Sequence, residues 1–329
     1  MWRTTALLIV AIGAVAVLGG CSGAGAPPAD VRGASVQTLA SDQVSAIALF
    51  GAWSKMLYVK ASGQMTGGQP VPQPDGSVWI DGTNSDGSVF HWVIDNGSLE
   101  FSPGHGTITW PDGTTYSSEW DATDMAPDYS HSTDHIRDTF PNGARLECTI
   151  VNNYSAQTQS LWDGTATTKG GITMTFHLDR VQGGRDRLTL TLPDGAVMAF
   201  EVPLIDGLNY YWPAFSRGAS GTYKRAGGPT LQFALTGTER WNQWALTAPD
   251  GTEGAFTLDA DLLGQGQLTR AGVTLGALRW WTEIDGKWTG SLNLLGSGQQ
   301  SVTPSAAARD FQINRWIANG AAMGPSPMY

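Results

Sequence analysis

The chain has 329 residues and carries 19 Lys and Arg against 29 Asp and Glu, a formal net charge of −10. An acidic chain without a basic block is a poor match for nucleic acid and is repelled by anionic headgroups, which excludes nucleic-acid partners and a charge-driven hold on a membrane. The length is ample for a large core, in one extended domain or two smaller ones.

Residues 1–20 open with Met1-Trp2-Arg3, one positive side chain, and continue with Ala6 to Gly20, an uninterrupted run of Ala, Leu, Ile, Val and Gly. This is the shape of a signal peptide. The run is about fifteen residues, short of the roughly twenty that a spanning helix needs. It stops at Leu18-Gly19-Gly20-Cys21-Ser22, which resembles the lipobox of bacterial lipoproteins. The resemblance implies cleavage before Cys21 and lipid attachment at Cys21. It also implies an anchored rather than a spanning protein, because two or three acyl chains hold durably at about 0.8 kcal/mol per buried methylene. Ser22 after the cysteine points by the same resemblance to the outer membrane of a two-membrane bacterium, and otherwise to the outer face of the cytoplasmic membrane. Without the leader, 18 Lys and Arg face 29 Asp and Glu.

Residues 21–37 are small, polar and Pro-containing, the composition of a flexible tether. Over 38–60 the spacing predicts an amphipathic helix with Ser41 as N-cap and Val44, Ile47, Ala48, Phe50, Trp53 and Leu57 on one stripe. Only Lys55 stands on its polar face, which favours packing on the body over lying on a membrane.

From 61 to 303 the texture is short alternating runs broken at Pro74-Asp75-Gly76, Asp86-Gly87 and Asn96-Gly97. The expected fold is all-β, with antiparallel β-hairpins in one extended sheet or two packed sheets and a helix at each end. The element Thr-x-Pro-Asp/Asn-Gly occurs at Thr109–Gly113, Thr139–Gly143, Thr191–Gly195 and Thr247–Gly251. Pro suits the first central position of a type I turn, Asp or Asn the second, and Gly supplies the positive φ that follows. A subdivision of the body is placed near 213–229, a Gly-rich run. The tail 304–329, with Phe311, Trp316 and Ile317, reads as a closing helix over a sheet edge or end, stopped by Gly320.

Around the first of these turns, Gly104, Gly106, Trp110, Pro111, Asp112, Gly113, Tyr116 and Trp120 resemble a MORN repeat, a unit of tandem hairpin sheets. The resemblance covers 17 residues and implies a sheet architecture and a binding role. MORN arrays repeat every twenty-odd residues, whereas the four turn prolines, Pro111, Pro141, Pro193 and Pro249, lie 30, 52 and 56 apart.

No catalytic signature motif is present: no Gly-x-Ser-x-Gly, P-loop, His-Glu-x-x-His or Cys-x-x-Cys. Cys148, in an alternating run, reads as a buried structural thiol. The stretch from Asp121 to Asp138 concentrates five aspartates and two histidines. Here His131, Asp134 and His135 would hold Zn²⁺, or Asp oxygens Ca²⁺, unless the segment is a solvated polar loop. Tryptophans such as Trp79, Trp92, Trp280 and Trp281 either fill a β-core or form an exposed row for stacking on sugars. Glu119, Glu147, Glu201 and Asp134 are the carboxylates a hydrolase would draw on. The reading this supports is a non-enzymatic, lipid-anchored envelope protein that binds or scaffolds through a sheet face, with no cofactor, and with an envelope protein or a glycan as partner. The alternatives are a dedicated glycan binder using exposed tryptophans and a hydrolase assembled from distant strands.

Overall fold

The computed structural model describes residues 29–310 except 65–67, 85–86, 96–102, 127–129, 154–157, 182–184, 204–218, 238–241, 259–263, 283–287 and 297. Cys21, Asn96-Gly97 and the tail beyond Asp310 therefore lie outside the described residues.

The body is all-β. Among the described residues nineteen strands, from β1 (Gln69–Pro72) to β19 (Gly298–Val302), form a single sheet. Each strand pairs antiparallel with the next in sequence, as β1 does with β2 (Val78–Thr83), β9 (Thr173–Val181) with β10 (Arg185–Thr191) and β18 (Trp288–Leu294) with β19. Pairing continues from β11 (Val197–Pro203) to β12 (Ala219–Lys224), and residues 213–218 of the Gly-rich run lie outside the described residues. At the ends of the chain stand helix α1 (Ala29–Gln64) and a short α2 (Ala306–Asp310).

Because consecutive strands run in opposite directions, the connections fall alternately at two ends of the sheet. The Thr-x-Pro-Asp/Asn-Gly turns all lie at one of them, the turn end. Their construction is the expected one. In the first, Trp110 N–H donates to the Thr114 carbonyl and Gly113 N–H to the Trp110 carbonyl, both at 2.9 Å. The Asp112 carboxylate accepts the Thr114 N–H at 2.9 Å, and Gly113 has a φ of 82°, which a residue with a Cβ adopts only under strain. The same pattern of turn-end bonds begins at Phe140, Thr168, Leu192 and Ala248, and a shorter turn begins at Arg225. Successive turns are thus 30, 28, 24, 33 and 23 residues apart. A recurrence of 23 to 33 residues is present after all. The turn prolines hid it, because the turns at Thr168-Lys169-Gly170-Gly171 and Arg225-Ala226-Gly227-Gly228 lack Pro-Asp.

Helix α1 departs from its expected form. It starts at Ala29, nine residues before the expected start, and Ser41 lies inside it, accepting the Ser45 hydroxyl at its carbonyl (2.8 Å). Nor is it a helix with one apolar stripe on a surface. Ala46, Ile47, Ala48, Leu49 and Phe50 are consecutive and all fully buried, and a helix apolar all round belongs inside a core. The sheet curls around it. Phe50 sits against Phe200, Phe233 and Trp244, on β11, β13 (Thr230–Gly237) and β14 (Asn242–Thr247). Trp53 meets Phe176 on β9 (Thr173–Val181) at a centroid distance of 4.8 Å, and the helix also touches β17 (Val273–Thr282), β18 (Trp288–Leu294) and β19. At the turn end the helix is pinned by polar contacts. Arg225 Nε donates to both Asp42 oxygens (3.1 and 3.3 Å), Gln37 Nε2 to the Ser301 carbonyl, and Ser305 N–H to Ser45 Oγ.

Strand residues alternate between this core and the outside, as in β15 (Thr252–Leu258), where every second residue is buried. Large inward rings are accommodated by inward glycines on neighbouring strands. The Trp120 indole lies where a Cβ on Gly104 would be (2.5 Å), and the Trp92 ring covers Gly106 in the same way. That is the physical content of Gly-x-Gly in the hairpin from Gly104 to Trp120. Cys148, 6% exposed, is the expected buried thiol.

Candidate functional site

At the end of the sheet opposite the Thr-x-Pro-Asp/Asn-Gly turns, β4 (Gly104–Thr109) begins at Gly104, while β5 (Thr115–Met125) and β6 (His131–Thr139) extend past it. The difference in strand length leaves a groove of about 420 Å³ lined by Asp95, His105, Glu119, Trp120, Asp121, His135 and Arg137, with Pro103 and Gly104. Register assembles it. His105 is opposite Glu119, Glu119 opposite Arg137, and Asp121 opposite His135, and alternation aims these side chains to the outer side. His135 Nδ1 is 3.1 Å from Thr149 Oγ1. Asp121 Oδ1 is buried with no hydrogen-bond partner among the described residues, a costly arrangement unless a ligand donor or water completes it. Three carboxylates face one guanidinium, so the groove suits a neutral, hydroxyl-bearing or cationic group beside an indole.

Of the expected metal ligands, only His135 lines the groove. The segment carrying them is a strand, β6, and not a loop. His131 and His135 are exposed on its outer side, about 13 Å apart by strand geometry. Asp134 faces the other way and accepts Asn152 Nδ2 at 2.8 Å, its pKa raised by burial. The strand's period of two thus divides the trio, and among the described residues no group of three His, Cys, Asp or Glu is placed to hold a metal ion. The carboxylates considered for hydrolysis are similarly dispersed. Glu119 is in the groove and Glu147 is opposite Arg137 on β7 (Arg145–Asn153). Glu201 accepts Arg187 Nε at 2.9 Å on β11, and Asp134 points inward. Sequence reasoning did not single out His105, Asp95 or Arg137; the hairpin register around Pro111-Asp112-Gly113, which sets His105 against Glu119, is the signal that could have found the first.

The tryptophans divide as alternation requires. Trp92, Trp244 and Trp280 are buried, and Trp120 and Trp162 pack against the core. Trp281 points away from Trp280, with the Arg279 guanidinium 5.8 Å from its ring, and Trp79 is 40% exposed. Trp79 and Trp281 stand on β2 (Val78–Thr83) and β17, not in one row.

All five histidines lie on β3 (Val89–Ile94) to β9, and among the described residues three have a carboxylate within ion-pair reach: His91 with Asp81 (2.5 Å), His131 with Asp124 (3.9 Å), and His177 with Asp163 (2.7 Å) and Asp179 (3.2 Å). The hydrogen bond to Asp163 raises the His177 pKa above 6.5. A raised folded value means that the stabilisation is complete below the unfolded pKa and is lost as pH rises through the folded one. The melting-temperature advantage of the wild type over His177→Gln is therefore expected at about pH 5.5 and should vanish by about pH 8.5. An equal difference at both values would contradict the pairing.

A second polar arrangement lies inside the curl. Ser132, Asn152, Ser160, Arg180 and Asp186 form one register row across five strands, β6 to β10 (Arg185–Thr191). Asn152 donates to Ser132, Ser160 donates to Asn152, and Arg180 reaches both Asp186 oxygens at 3.2 and 3.3 Å. The Arg180 guanidinium lies 5.7 Å from the centroid of the Trp162 ring.

No protein-family model matches the chain, and no curated protein matches it. Among the described residues no helix is long and apolar enough to cross a membrane.

Proposed function

We propose that the protein is a lipid-anchored component of the cell envelope that binds a partner, without catalysis, through the outer face of its sheet. The groove over β4 to β6 carries this reading: it joins outward ionisable groups of both signs and a buried carboxylate oxygen with no hydrogen-bond partner among the described residues. The path of the chain supports the anchoring. Around Asp42 helix α1 is held at the turn end, and it runs from there into the curl. The described turns of α1 before Asp42 extend out from the turn end, and an anchor upstream of them would hold the body by that end. The groove, at the opposite end, faces away from the bilayer, where a partner can reach it.

Two measurements test the proposal. Cys21→Ser should move the protein out of the membrane fraction. A photo-crosslinking residue at position 105 should capture a discrete envelope partner in intact cells, and Glu119→Gln with Asp121→Asn should lower that capture about tenfold, as expected when charged hydrogen bonds of about 1.5–3 kcal/mol are removed. Retention of the serine variant in membranes, or capture indifferent to the groove substitutions, would overturn it.

A further inference from the structure

The outer face is not uniform. On β4 to β7 it presents His105, Glu119, Arg137, Arg145 and Glu147. On β13 to β16 (Gly264–Arg270) the outward positions hold Gln, Thr and Ala, and Glu253 is the one ionisable side chain among them. In a chain of net charge −10, a neutral area four strands wide is a departure from the usual practice of studding exposed sheet surfaces with charge.

The neutral residues are ordered. Ala234, Ala245, Ala255, Gln267 and Ala277 lie in register on five successive strands, β13 to β17, and all five are exposed. Beside them runs a parallel row of Thr236, Gln243, Thr257 and Gln265, ending at Arg279. The alanine methyls keep the centre flat. The amides and hydroxyls next to them repeat about 4.8 Å across strands and about 6.7 Å along them, each able to donate and accept. Trp281, two residues beyond Arg279 on the same side of β17, places an aromatic face at the margin.

We propose that this face of β13 to β17 docks an uncharged, hydroxyl-rich polysaccharide. A flat lattice of amide and hydroxyl groups matches sugar hydroxyls, and there is almost no fixed charge to desolvate when the chain lies down. The marginal indole suits stacking on a sugar ring. The other occupants fit less well. A protein partner is normally gripped by central aromatic or Arg anchors, and the centre here is alanine. An anionic polymer would meet an acidic protein with Arg279 alone to receive it. A bilayer would have to bury amides without partners. The inference shares with the preceding section the premise that the outer face is the working surface, but uses none of the groove residues.

The test is retention of the detergent-solubilised full chain in native affinity gels cast with a neutral β-glucan, a neutral α-glucan or the anionic polymer alginate. Retention by a neutral glucan is expected, with loss of affinity of about tenfold or more in both Ala245→Glu and Ala255→Arg; because the two carry opposite charges at exposed positions, shared loss marks a face that must stay flat and neutral, and circular dichroism verifies folding. Glu119→Gln in the groove should leave retention unchanged, so failure of this inference and failure of the groove reading give different patterns. Retention by neither glucan, retention by alginate alone, indifference to both substitutions, or light scattering showing that the face instead joins two copies of the chain would each overturn the proposal.

Discussion

Phe50→Ala should destabilise the protein by about 3–5 kcal/mol, read as a fall in the denaturant midpoint at unchanged slope. The size follows from position. The Phe50 ring is fully buried, 5.1 Å from Phe200 and 5.7 Å from Trp244 between centroids, and Trp244 is itself stacked on Phe233 at 4.7 Å. Truncation removes the transfer free energy of the ring, leaves a cavity that three strands and a helix cannot jointly close, and breaks edge-on ring contacts worth about 0.5–1.5 kcal/mol each. On a helix resting on the outside of the body the same change would cost well under 1 kcal/mol. A small effect would therefore show that the sheet does not enclose α1. Phe50→Leu, which keeps most of the volume, should cost clearly less than the alanine.

The second large effect is expected at Arg180. Its partner Asp186 is 1% exposed and Arg180 itself 12%, so Arg180→Met leaves a carboxylate in the interior deprived of its guanidinium. Removing one member of a buried pair costs about 3–5 kcal/mol, whereas replacing both with apolar groups of similar volume is often neutral. Arg180→Met should accordingly be severe at neutral pH, and Arg180→Met with Asp186→Leu should recover most of the loss, measured as a double-mutant cycle in chemical denaturation. Equal loss in the single and double variants would mean that the row from Ser132 to Asp186 is held by its other hydrogen bonds rather than by this pair.

Much of the architecture was legible because it is written in local chemistry. Pro-Asp-Gly fixes a turn, the turn fixes a register, and alternation then fixes which side chains share a face; the hairpin from Gly104 to Trp120 follows from those three steps. What was not legible depends on contacts distant in sequence. Whether 38–60 rests on the sheet or runs through it is decided by Phe200, Phe233 and Trp244, far along the chain, although the run Ala46-Ile47-Ala48-Leu49-Phe50 was a local hint of burial on every side. The groove needed the pairing of β5 with β6, whose connection, Ala126-Pro127-Asp128-Tyr129-Ser130, has Pro-Asp without a following glycine. Without that register, His135 looked like a neighbour of His131 and Asp134. With it, His135 belongs beside Asp121, on another strand.

The pairing of every strand with its successor has a consequence for how the chain assembles. Such a ladder has low contact order, so each hairpin can close as soon as its second strand is available, and no strand waits for a distant partner. The helices break the rule: Asp42 meets Arg225 across 183 positions, Ser45 meets Ser305 across 260, and Thr168 meets Asp310 of α2 across 142. The growing sheet keeps its inner apolar face incomplete until it bends onto the helix, and that bend cannot be finished before the late strands exist. The expected rate-limiting event is therefore the closure of a preformed ribbon over a waiting helix, and a substitution such as Phe50→Ala should slow refolding only if that closure is the transition state.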